Sequence, residues 1–233
     1  MSLLASICLL GTGVAVPHDP PAVRRAEDGI VADLAFRAQR KWRLQLPAER
    51  WQPVGTSFAL AKTHGFDFKT ELVGTRLKVD TDGDGKTDVT LEGKTAYLTL
   101  RGKNPSGERT SYAVRLKNEG GWKFAPGGFL TGKVNGTKIK LIDQNNNGVF
   151  GEAGKDAMIL GNRKVATWAS EAIHLDGKLY AARVSADGSQ LLCTPFEGPV
   201  GKLHLACTTK GKVLSAVVRS TDLRYSFDMA RAT

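Results

Sequence analysis

Nine consecutive residues, Asp80-Thr81-Asp82-Gly83-Asp84-Gly85-Lys86-Thr87-Asp88, carry carboxylates at positions 1, 3, 5 and 9. This spacing wraps oxygen ligands round a point, which suits calcium, a hard cation that binds six to eight oxygens. Gly85 at position 6 permits the sharp turn, and Lys86 at position 7 offers its backbone carbonyl. Carboxylates held this close repel one another unless a cation or hydrogen bonds compensate them. A second loop, Asp143-Gln144-Asn145-Asn146-Asn147-Gly148-Val149, puts Asp143, Asn145 and Asn147 at positions 1, 3 and 5. Gly148 follows at position 6 and the Val149 carbonyl at position 7, but position 9 is Gly151. Glu152 and Asp156 are the carboxylates left to complete that site. With fewer charges the second loop is expected to bind calcium more weakly, and a metal-free Asn/Gly turn is its alternative reading.

Position 12 of the first loop is Leu91 instead of the bidentate Glu of an EF-hand. Its flanks, Arg76 to Val79 and Val89 to Leu91, read as strands instead of helices. The stretch from Asp80 to Val89 resembles the calcium loops of FG-GAP and integrin-alpha-type repeats, which join two strands. It is also similar to dockerin and thrombospondin type 3 loops. The resemblance implies calcium as the ion and implies no activity. The second loop is similar to strand–loop–strand segments of exported bacterial proteins with no assigned activity. Gly74-Thr75-Arg76-Leu77-Lys78-Val79 precedes the first loop and Gly136-Thr137-Lys138-Ile139-Lys140-Leu141-Ile142 precedes the second. The two loops therefore fit one β unit used twice, or convergence on the same strand–loop–strand form.

No catalytic residue is assigned from the remaining side chains. The four histidines, His18, His64, His174 and His204, form no HExxH pair, and the chain has no GxSxG, Walker or dinucleotide fingerprint. Trp42, Trp51, Trp122 and Trp168 suit a sugar platform or, more simply, a core. Arg37, Arg40, Lys41 and Arg43 form the densest basic cluster, with Trp42 inside it. Lys and Arg outnumber Asp and Glu by 33 to 23, for a net charge of +10. That balance admits acidic glycan, anionic lipid or nucleic acid as partner.

The elements that hold these loops follow from a period of two. Leu77 and Val79, Tyr112, Val114 and Leu116, Trp122 and Phe124, and Ile139 and Leu141 alternate with polar residues. Short strands with frequent turn signals predict a mainly β fold, an antiparallel sandwich or barrel-like sheets. One short helix is expected near the N-terminus, over Glu27 to Trp42, from the spacing of Ile30, Leu34 and Ala38. The 26 Gly residues lack the period of collagen, and 41% hydrophobic residues argue against wholesale disorder. No apolar run reaches the roughly 18 residues that a membrane helix needs.

Residues 1–15 read as a signal peptide, with an apolar stretch and small residues Gly13 and Ala15 before the expected cut, though without a leading cation. The expected organisation then runs through a linker and helix (16–52), a β region with both loops (53–165) and a C-terminal β region (166–233). Export leaves Cys193 and Cys207 as candidates for a disulfide, facing each other across a hairpin centred near Val200; two buried thiols are the alternative. The sequence thus reads as an exported, calcium-stabilised β module with a structural or adhesive role at the cell surface. Calcium ions and an envelope glycan or surface protein are its expected partners, with no specific nucleic acid. An exported hydrolase with a structural calcium, or an anion-binding surface protein, are the other readings.

Overall fold

Strands form where the alternating segments were read, and they pair antiparallel. The structure is a computed structural model that describes residues 29–58, 60, 68–103, 107–204, 206 and 216–229. In chain order the strands are β1 (Ile30–Asp33), β2 (Ala35–Ala38), β3 (Gln52–Pro53), β4 (Thr70–Val73), β5 (Arg76–Val79), β6 (Val89–Leu91), β7 (Thr95–Lys103), β8 (Arg109–Asn118) and β9 (Trp122–Pro126). They continue as β10 (Gly128–Val134), β11 (Thr137–Ile142), β12 (Ala157–Leu160), β13 (Thr167–Trp168), β14 (Ala172–Leu175), β15 (Lys178–Val184), β16 (Gln190–Pro195), β17 (Val217–Arg219) and β18 (Ser226–Asp228). The sheets run β1-β16-β15-β14, β13-β12-β11-β10-β2, β3-β9-β8-β7, β4-β5-β6 and β17-β18. Pairing crosses the boundaries expected near 52 and 165, since β2 joins β10 and β13 joins β12.

Two large cores result. The first lies between the β1 and β10 sheets, with Ala32, Leu130, Val134, Ile139, Leu141, Ile173 and Leu191 among its buried residues. The second packs the β4-β5-β6 sheet on β7 to β9 through Phe58, Phe68, Leu77, Leu100, Val114, Leu116 and Phe124. Phe150 packs against both. A third, smaller cluster forms where residues 42–46 lie over Phe129, Ile142, Ala157 and Ile159. The expected unit used twice has a structural counterpart. β4, β5, the first loop and β6 repeat the order of β10, β11, the second loop and β12, each a three-strand antiparallel meander.

In the described part of the expected helix, residues 29–42, the chain forms β1 and β2 instead, two strands in different sheets. Ile30, Ala32, Leu34 and Phe36 all turn to the first core, so the real period is two. Spacing of four, as between Ile30 and Leu34, fits both periods, and pairing with β16 and β10 decides between them. The hairpin proposed for the cysteines is also corrected. β16 has β1 on one side and β15 on the other, so Cys193 sits opposite Ile30 and Ala182 and neither edge is open to residues near 207. Cys193 is a buried free thiol, and burial pushes it up to about 11, which leaves it unreactive. Cys207, the signal peptide expected at 1–15 and the first part of the expected linker, residues 16–28, lie outside the described residues. Residues 166–173 hold β13 and the start of β14.

β2 and β10 approach closely at Gly128, where an added Cβ would meet the Phe36 ring at 2.3 Å and the Arg37 carbonyl at 2.8 Å. Gly128→Ala is therefore expected to cost about 1–3 kcal/mol through overpacking. Gly201→Ala, with nothing within 4 Å, is expected to be near neutral. Chemical denaturation of the two variants checks the pairing of β2 in this sheet.

Candidate metal centres

The first loop closes the β5–β6 hairpin, whose last ladder pair is Val79 with Val89. Asp80 is only 2% exposed. Its Oδ1 accepts the N–H groups of Asp82 (3.2 Å) and Gly83 (2.7 Å), and its Oδ2 accepts that of Gly85 (2.8 Å). Gly85 has φ of +86°, the left-handed turn expected at position 6. Asp80, Asp82 and Asp88 each bring a carboxylate oxygen within 4.8 Å of the others. Asp84 is not part of that group: its Oδ1 accepts the Lys86 N–H at 2.8 Å, and its Oδ2 lies 3.9 Å from the exposed Lys86 ammonium. Asp88 Oδ2 also accepts the Thr81 N–H (2.7 Å) and hydroxyl (2.9 Å), bonds that hold its carboxyl below the usual range. The loop is tied to the neighbouring sheet, since the Arg101 N–H on β7 donates to the Thr81 carbonyl at 2.8 Å.

The second loop takes the same form but is buried. Asp143 and Asp156 have no exposed surface. Asp143 accepts N–H groups from Asn147 (3.1 Å) and Gly148 (2.6 Å) and the Tyr112 hydroxyl (2.8 Å). Gly148 has φ of +83°, matching Gly85. Asn145 and Asn147 turn their oxygens to the loop's own N–H groups and donate their side-chain amides to Glu152 Oε2 at 2.9 and 2.5 Å. Asp156 accepts the N–H groups of Gln144 (3.2 Å) and Glu152 (3.0 Å). Glu152 pairs with Lys155 at 2.7 Å. Val149 donates its N–H to Asn147 and lies in the wall of a groove described below. Glu152 and Asp156 thus return to the loop and close it through hydrogen bonds of their own.

Several partners had no signal in the sequence. Tyr112 reaches Asp143 from β8 and stacks near Phe36 and Phe150, with ring centroids 6.3 and 6.0 Å away. Gln144 accepts the Ala48 N–H and donates to the Lys155 carbonyl, and Asn146 donates to the Arg50 carbonyl. Gln52 donates to the Asn145 carbonyl. Residues 48–52 are thereby strapped across the loop. The indoles that suited either a sugar platform or a core are used internally: the Arg115 guanidinium lies 4.1 Å from the Trp42 ring centre and 5.2 Å from that of Trp51. Trp122 is buried and donates to the Thr75 carbonyl, and Arg219 covers Trp168 at 4.2 Å.

A groove of about 490 Å³ opens beside the second loop, floored by Leu34, Phe36, Leu130 and Phe150. Its rim carries Glu108 and Asp187. Asp187 is occupied by the hydroxyls of Ser185 and Ser189 and the Ser189 N–H, which hold it down at about 2. It is thus a turn-forming carboxylate, unsuited to act as a general acid. No protein family, no curated protein and no solved structure was found to match the chain.

Burial pushes Asp143 up to about 6; burial and then the charge of Asp143 push Asp156 up to about 8. Their unfolded values lie near 3.9. Between about pH 4 and 8 the folded state therefore binds more protons than the unfolded one, so stability falls as pH rises through that window. In chelator, denaturant midpoints are expected to decline from about pH 4 to 8, and Asp156→Asn to flatten the decline. Tyr112→Phe is expected to cost about 1–3 kcal/mol by removing a bond to a buried carboxylate.

Proposed function

We propose that the chain is an exported β-rich module stabilised by calcium, with a structural or adhesive role at a cell surface. The observation that carries this reading is the convergence of Asp80, Asp82 and Asp88 at the mouth of the β5–β6 hairpin. Three carboxylates at that separation form an all-oxygen donor set, which favours a hard divalent cation over zinc or copper. Asp84 and the Lys86 carbonyl are within the same loop and would complete the shell after small rotations. The role is that of a clip: the loop joins the β4-β5-β6 sheet to β7 through Thr81 and Arg101. The second loop would hold a weaker ion through Asp143, Asn145, Asn147, the Val149 carbonyl, Glu152 and Asp156. Its inward hydrogen bonds also suit the metal-free turn. The hydrolase reading draws no support from the groove, whose Asp187 is tied to its own turn.

Calcium at 100 times its dissociation constant stabilises a protein that binds it only when folded by about 2.7 kcal/mol. Melting temperature is expected to rise in millimolar calcium relative to chelator, and Asp80→Ala to remove most of the rise. Lys86→Ala is expected to keep it, because only the backbone carbonyl is used. A wild type whose melting is indifferent to calcium would overturn the reading. Export is checked separately by the intact mass of secreted protein, expected to begin near Val16.

A further inference from the structure

The excess of positive charge in this chain falls on one sheet and the segments lying over it. Residues 35–48, 127–142 and 157–170 supply β2, β10, β11, β12, β13 and the segments lying over them. They contain nine basic residues (Arg37, Arg40, Lys41, Arg43, Lys133, Lys138, Lys140, Arg163 and Lys164) and no Asp or Glu. Removing those nine leaves 24 Lys and Arg against 23 Asp and Glu in the rest of the chain. Register gives the face. Thr131 sits opposite Lys140, Lys133 opposite Lys138, and Phe129 opposite Arg37, so these side chains leave one side of the sheet while Leu130, Ile139 and Leu141 enter the first core on the other. Leu44 roofs the apolar end of the same face, over Phe129, Ile142 and Ile159, and its neighbours Arg40, Lys41 and Arg43 are exposed. Gln45 bonds to the backbone of Lys164 and Ala166, which brings the 161–166 turn alongside.

Like charges directly opposed across two strands destabilise a sheet. Lys133 and Lys138 are such a pair, with Cα atoms roughly 4.5–5.5 Å apart. Burial and the charge of Lys138 hold the Lys140 ammonium below its ordinary range. Among the described residues none of the nine forms an ion pair. The adjacent carboxylates are engaged elsewhere: Asp33 with Gln190, Glu49 with Arg115, and Asp143 and Asp156 within the second loop. A fold that keeps this repulsion gains from an external anion.

The kind of anion follows from what the face lacks. A base-stacking platform is missing, because Arg115 covers Trp42 and Phe129 is only 7% exposed. Among the described residues no helix lies on this face to enter a major groove. The large exposed apolar residues, Val31, Leu72, Val73, Leu192, Val200, Leu203 and Leu223, all lie outside these segments, so this face carries no apolar wedge for a lipid surface. We propose that the outer face of the β2-β10-β11-β12 sheet binds a linear anionic polysaccharide, through Lys133, Lys138, Lys140 and Arg37 with Arg40, Lys41 and Arg43 at its border. Lys133, Lys138 and Lys140 are neighbours one strand apart or two residues apart along a strand, roughly 5–7 Å, a spacing suited to charges strung along an extended chain. The site is independent of calcium.

The test measures binding of short dextran sulfate, in chelator, to the full chain. Saturable binding that weakens steeply with salt is expected, with none to neutral dextran. The triple variant Lys133→Glu, Lys138→Glu, Lys140→Glu is expected to lose at least about tenfold in affinity. A charge-matched control, Lys94→Glu, Lys178→Glu, Arg183→Glu, is expected to lose less than about twofold. Should the first triple melt early, the milder Lys133→Gln, Lys138→Gln pair is read in its place, where relief of repulsion favours folding. Equal losses in the patch and control variants would reduce the effect to net charge and overturn the proposal. So would tighter binding to a duplex DNA of equal charge or to phosphatidylglycerol vesicles.

Discussion

Two carboxylates placed where water cannot reach them constrain the centre of this structure. Asp143 and Asp156 are fully buried at the start and end of one loop. An uncompensated charge there would cost several kcal/mol, so the surrounding chain is organised to supply donors. Tyr112 comes from β8, Gly148 and Asn147 from the loop backbone, and Gln144 and Glu152 offer N–H groups to Asp156. Gln144, Asn146 and Gln52 then fasten residues 48–52 over the same loop. Phe150 leaves the loop to pack against both large cores. The seam of the fold is thus a polar network that must be satisfied as a unit, with apolar packing on either side.

The two loops show how one template serves two environments. Each begins with an Asp at the end of a strand and turns through a glycine at position 6 with positive φ. In the first loop the later carboxylates Asp82 and Asp88 are exposed and crowd toward Asp80. Their repulsion is relieved at little cost by water, and more fully by a cation. In the second, asparagines replace two carboxylates, and their amides donate to Glu152. The lower charge is the physical condition for burial: a loop with the first one's charge could not be enclosed without a metal.

Charge elsewhere is arranged by the same competition between packing and solvation. Arg115 is held between two indoles and an ion pair with Glu49, so its positive charge is spent inside the protein. Lys133 and Lys138 on β10 and β11 form no ion pair among the described residues, and Lys140 lies over the Phe129 ring at 5.1 Å, while the intervening residues fill the first core. An almost neutral remainder and one basic sheet give the molecule a polarity that its overall composition does not reveal.

Legibility in the sequence divides along the range of the interaction. Local rules were enough for the strands around Leu77, Tyr112, Trp122 and Ile139, where one face is buried and a period of two follows directly. They were enough for the loop turns, because Gly85 and Gly148 supply a backbone conformation that other residues resist. They failed at Ile30 to Ala38, where a spacing of four satisfies helix and strand alike and only pairing with β16 and β10 separates them. They left Cys193 open between a disulfide and a buried thiol, because the occupancy of both edges of its strand is a property of the whole sheet. The Tyr112 bond to Asp143, the strap at 48–52 and the capping of Trp42 by Arg115 join residues far apart in the chain. No periodicity encodes such meetings. The sequence by itself determined which residue types stand at each position of the loops and on each face of the strands. The tertiary structure decided which of those loops is buried and where the charges gather, because both depend on which strands become neighbours.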